Sequence, residues 1–134
     1  MKLERSISRL FFATLAMCLA VLVAGCRTQP PNISPDLGAA ETFQHAQDAS
    51  DGGNYSLAIR YYSAYRESHP DNKDRDIWAL YEIAFNYHKM GKTAKAIEIL
   101  DQLLQQYQTD GNTLPPAPRI LAQELKSNWS QKTQ

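Results

Sequence analysis

The sequence predicts an all-α protein built as an array of helical hairpins. Three observations carry that reading. No stretch alternates apolar and polar residues convincingly for more than four positions, so strand signals are weak. Apolar residues recur instead at helical spacing, between clear glycine and proline stops. Two of these helical segments also align at a fixed offset, with Gly53 and Gly91 38 residues apart.

The first element lies outside the array. Lys2, Arg5 and Arg9 face a single acid, Glu4, and precede the uncharged run Leu10–Gly25. A membrane span needs about 20 apolar residues. This run has 16, the length of a secretory apolar region behind a positive segment. Residues 1–25 therefore read as a removed export signal. Val23-Ala24-Gly25-Cys26 resembles the lipobox of bacterial lipoproteins. That resemblance implies cleavage before Cys26 and acylation of its thiol, which anchors the chain to a membrane. An ordinary export signal and an uncleaved anchor helix are the competing readings. Arg27, rather than Asp, follows the cysteine, which by analogy points to the outer membrane, facing the periplasm.

Processing there leaves 109 residues, Cys26–Gln134, enough for one domain and a tether. Of 14 basic and 14 acidic residues, three basic and one acidic are lost, so 11 and 13 remain and the formal charge is −2. Nothing in that balance suggests a nucleic-acid surface. Cys18 is discarded with the signal and Cys26 carries lipid, so neither a disulfide nor thiol catalysis is available. Residues 26–35 form the tether. Pro30, Pro31 and Pro35 keep it extended at about 3.1 Å per residue.

The domain then occupies residues 36–134. Ser34-Pro35-Asp36 offers a capping serine, a proline for the first turn and an acid, so the first helix is expected at about 35–51, ending at Gly52-Gly53. A second runs from Tyr55 to Ser68 and stops before His69-Pro70. Asp74 or Asp76 caps a third, at about 75–90, with Gly91 beyond its end. A fourth runs from Thr93 to Tyr107, closed by Asp110-Gly111-Asn112. Pro115, Pro116 and Pro118 introduce a fifth, at about 117–130, with Leu121, Leu125 and Trp129 on its apolar stripe.

Aligned on their glycines, the first four helices form two copies of one hairpin. Ala46, Gly53, Ala58 and Tyr62 recur as Ala84, Gly91, Ala96 and Leu100. The pattern resembles the tetratricopeptide repeat (TPR). In that family a small residue in the first helix and an alanine in the second let two helices cross closely. Ala46 with Ala58 and Ala84 with Ala96 stand at those positions. Tyr55 opens the second helix of the first copy, Tyr87 belongs to the packing face of the second, and Tyr62 and Leu100 are the bulky residues that follow. The resemblance implies a right-handed hairpin array with repeats at about 39–72 and 77–108. The family period is about 34, so four residues are inserted near Asn72–Asp76. Two repeats leave the fourth helix uncovered on one side. The fifth helix is expected to cap it, and self-association is the other way to cover it.

Leu80, Ile83, Ala84 and Tyr87 form one stripe on the third helix, and Trp78, Tyr81, Phe85 and His88 form another. One stripe suffices for packing. By the resemblance, the second points into a concave groove that holds a peptide or partner helix, with Phe43 and Gln47 at matching positions of the first helix. Two other destinations stay open: burial under the fifth helix, and a pocket for an apolar small ligand. No phosphate loop, H-E-x-x-H, C-x-x-C or G-x-S-x-G occurs. His45, His69 and His88 are too scattered for a metal site, and no cofactor is expected. The sequence thus reads as a non-enzymatic, lipid-anchored adaptor for protein partners in envelope assembly. The alternative is a ligand-binding accessory lipoprotein of a transport system.

Overall fold

Gly53 and Gly91 adopt φ of 76° and 75°, left-handed backbone that side chains with a β-carbon resist. Each closes its helix with the same pair of hydrogen bonds. The Gly53 N–H donates to the Ser50 carbonyl at 3.0 Å and the Asn54 N–H to Ala49 at 2.8 Å. Thirty-eight residues on, Gly91 donates to His88 at 2.8 Å and Lys92 to Tyr87 at 3.0 Å. This is the six-to-one and five-to-two closure of a helix that ends on glycine.

The computed structural model describes residues 33–34, 37–110 and 113–131, all within the compact unit Asn32–Gln134. The expected export signal, Cys26 and most of the expected tether lie outside the described residues. Five helices follow one another in the described chain: α1 (Ala39–Asp51), α2 (Tyr55–Ser68), α3 (Lys73–Lys89), α4 (Thr93–Asp110) and α5 (Pro116–Gln131). Each packs on the next, and α5 also touches α3. The result is an all-α, TPR-like array of two hairpins and a closing helix.

Three boundaries differ from expectation. α1 begins at Ala39 rather than near residue 35, because Gly38, in extended backbone at φ −61° and ψ 154°, interrupts the run. Pro35 and Asp36 lie outside the described residues. Gly38 is the N-cap and no side chain caps the helix; the Thr42 hydroxyl donates back to the Gly38 carbonyl at 3.1 Å. The cap of α3 is Asn72, not Asp74 or Asp76: its Oδ1 accepts from the Arg75 N–H at 3.2 Å. The two acids stand in the first turn, where the helix dipole favours them. α4 runs on to Asp110, three residues past Tyr107.

The longer α3 accounts for the 38-residue period between Gly53 and Gly91, and α4, which follows Gly91, is longer as well. α3 has 17 residues against 13 in α1, and α4 has 18 against 14 in α2. Both extra turns lie at the same end of the second hairpin. Lys73 Nζ meets Asp110 Oδ2 at 2.8 Å, joining one added turn to the other. Asp76, also in the inserted segment, receives Arg66 of α2 at two points, 2.6 and 3.3 Å.

Ala46, Ala58, Ala84 and Ala96 are all 0% exposed. Their short side chains let the axes approach, and Tyr62, Tyr65, Ile77, Leu80, Leu100 and Leu103 fill the space around them. Tyr87 is half-buried against this core, and Tyr55 is half-buried at the start of α2. The 38-residue register continues into α5, where Ala122 is buried 38 residues after Ala84. The contact pattern does not continue. Ala79 and Asn86 are buried in α3, which lies between α2 and α4, yet their counterparts Ala117 and Glu124 are exposed in α5. α5 instead buries Pro118, Ala122 and Trp129, keeps Leu121 and Leu125 half-buried, and leaves Ile120 58% exposed. It closes the stack rather than extending it.

Candidate functional site

Helical geometry places Trp78, Tyr81 and Phe85 along one side of α3, at i, i+3 and i+7. All three are half-buried. Tyr81 and Phe85 touch the core at their bases. The Trp78 and Tyr81 rings meet edge to face at 5.9 Å and 84°. Lys89 holds its ammonium 5.3 Å above Phe85, within cation–π range. Burial raises the Tyr81 hydroxyl pKa, with Glu82 and Glu124 of α5 adding to the effect, so α5 flanks this face.

Other residues predicted to line the groove are already engaged. The Phe43 ring stands edge-on to Tyr62 at 5.3 Å and to Tyr65 at 4.6 Å, with the Arg75 guanidinium 5.4 Å from its centre. Phe43 is therefore a packing residue between α1 and α2, because those two tyrosines offer it ring edges across the hairpin. Gln47 is exposed and spends its amide on Asp51 Oδ1 at 3.0 Å. His88 is stacked flat on Trp129 of α5, at 4.1 Å between ring centres and 13° between planes. Its Nδ1 also lies 3.1 Å from Thr93 Oγ1. The fifth helix thus covers one end of the stripe and leaves the other three rings half-open.

A polar cluster that sequence reasoning missed lies along α3. Asn86 is fully buried; its amide donates to the Glu82 carbonyl at 2.8 Å, while its own Oδ1 is buried without a hydrogen-bond partner. Burial pushes the Glu82 carboxyl above its ordinary range, and Asp51 of α1 adds to this. Burial likewise raises the Tyr62 hydroxyl, with smaller contributions from Glu82 and Asp51. Helical spacing pairs Asn86 with Glu82, whereas Asp51 and Tyr62 come from α1 and α2. Lys89, four residues after Phe85, could have been read from helical spacing.

Among the described residues no three His, Cys, Asp or Glu side chains are grouped to hold a metal ion. No helix among them is long and apolar enough to cross a membrane. A cleft of about 630 Å³ opens between α4 and α5, lined by Asp101, Gln105, Gln108, Arg119 and Lys126 among others. None of the three rings lines it, and Lys126 bridges to Asp101 at its rim.

Residues 78–109 match the family model of the tetratricopeptide repeat. The repeat so matched begins at Trp78, crosses the Gly91 turn and takes in almost all of α4. The first hairpin lies outside the match but shares its glycine closure and its pair of buried alanines. No curated protein and no solved structure matches the chain.

Proposed function

We propose that this protein is a non-enzymatic adaptor that holds a protein partner against Trp78, Tyr81 and Phe85. A lipid on Cys26 tethers it to the outer membrane, facing the periplasm, and its work lies in envelope assembly. One observation carries the docking reading. Leu80, Ile83 and Ala84 of the α3 packing face are buried within the fold, yet three large rings remain half-open beside them. Aromatic side chains give large contact area at low entropic cost, which makes them common anchors of interfaces. The match to a repeat whose family serves as protein-binding scaffolds supports the same reading. The anchor rests on the lipobox resemblance of Val23–Cys26.

The test replaces Tyr81 with a photoreactive phenylalanine analogue in the full chain, in intact cells. Exposed Gln102 of α4 is replaced in the same way as a control. A discrete protein adduct at position 81 and none at 102 is expected. No adduct at 81, or equal adducts at both, overturns the docking reading. Fatty-acid labelling should mark the wild-type chain and be lost in Cys26→Ser; labelling retained in that variant excludes the proposed anchor.

A further inference from the structure

We propose that the partner held on this face is a basic protein segment, whose lysine or arginine enters between Glu82 and Glu124 and lies over Tyr81. This deepens the docking reading and rests on it. Glu82 follows Trp78 by four residues and precedes Phe85 by three, so helical spacing sets it beside both rings. Glu124 approaches Tyr81 from α5, and Asp51 approaches Glu82 from the end of α1. Three acids from three helices thus flank the half-open rings.

Among the described residues, none of the three pairs with a cation. Four acids elsewhere do: Asp76 with Arg66, Glu98 with Lys95, Asp101 with Lys126 and Asp110 with Lys73. Two cations near the rings lie over aromatic faces instead, Lys89 over Phe85 and Arg75 over Phe43. Asp51 accepts the Gln47 amide. Asn86, one turn after Glu82, donates to the Glu82 backbone carbonyl, and its own buried Oδ1 is a further acceptor without a donor. A fully exposed acid needs no partner, because water solvates it. Glu82 is half-buried, and a carboxylate short of both water and donors is a penalty that the free fold bears. An ammonium or guanidinium from outside removes that penalty. It donates to Glu82 and Glu124 and meets the face of Tyr81, a cation–π surface. An acidic segment is repelled by three carboxylates against the single Lys89 at the end of the row. The rings therefore select apolar neighbours, and the acids select the sign of the charge between them.

The experiment puts the photoreactive analogue at position 85 of the full chain, in intact cells, and compares adduct yield across backgrounds. Glu82→Gln/Glu124→Gln keeps side-chain size and removes both charges. It should lower the yield about tenfold, the effect of losing one charge-assisted contact. Glu98→Gln, at an exposed position of α4, should leave the yield unchanged. Thermal melts of the same chains separate binding from folding, since removing the Glu82 charge is expected to stabilise the chain while weakening capture. An unchanged or higher yield in the folded double variant, or an equal fall with Glu98→Gln, overturns the basic partner and leaves the docking reading intact. No adduct from position 85 in the otherwise wild-type chain overturns both. Should the double variant fail to fold, Glu124→Gln alone decides, because Glu124 is exposed on α5. A fall of at least about threefold is then expected, and an unchanged yield overturns the proposal.

Discussion

Glu82 shows what one side chain costs this fold. It stands half-buried on α3, close enough to Asp51 of α1 for the two acids to repel. Its folded pKa is raised above the unfolded value, so the native state binds the extra proton in the interval between the two. Stability therefore falls as pH rises through that interval, and the penalty is fully present above the folded pKa. Glu82→Gln is expected to raise the melting temperature at pH 7 and to have little effect near pH 3, more than about one unit below the ordinary glutamate pKa, where the wild-type carboxyl is mostly protonated in both states. Thermal melts by circular dichroism across that range check this. A lower melting temperature at pH 7 would mean that the carboxylate makes a favourable contact that outweighs its burial. No sequence pattern marks Glu82, because its neighbours come from another helix. Gly53 and Gly91 were legible for the opposite reason: the left-handed closure is a local demand, and glycine meets it most readily.

Among the elements, α3 carries most of the molecule's meaning. Its alanine notch was readable because a small residue at fixed spacing from a turn glycine has few other uses. The expected packing follows: Ala84 is fully buried, with Ala79 and Asn86 also enclosed. Ala84→Leu should overpack that crossing and destabilise the fold by about 1–3 kcal/mol, measured by urea denaturation. Ala94→Leu, at an exposed position of α4, should cost less than about 0.5 kcal/mol. Equal costs would show that the alanine notch does not set the helix approach. The helix starts were less legible. Ser34-Pro35-Asp36 carries good capping chemistry, but the helix takes Gly38 as its N-cap and starts at Ala39. Asn72 prevails over Asp74 and Asp76 because the four inserted residues add a turn to the front of α3. The insertion was visible in the sequence; the matching extra turn of α4, joined to it through Asp110 and Lys73, was not.

At the scale of the whole molecule, the array is two hairpins closed by α5. Its order and helical content follow from periodicity and punctuation. The candidate site was legible in part. Trp78, Tyr81 and Phe85 share the predicted face, and their helix spacing required it. The engagement of Phe43 by Tyr62 and Tyr65, and of His88 by Trp129, was not legible, since which rings meet across helices is decided by packing angles that spacing does not encode. The proposed docking face is correspondingly narrower than the sequence suggested, with three half-open rings rather than five.

The most direct test of the account is the double variant Trp78→Ala/Phe85→Ala, followed by adduct formation from position 81 and by the helical melt of the purified chain. Loss of the adduct with a nearly unchanged melt is the predicted result, because these rings stand outside the alanine-spaced packing face. Collapse of the melt would contradict it, and would make the rings part of the core.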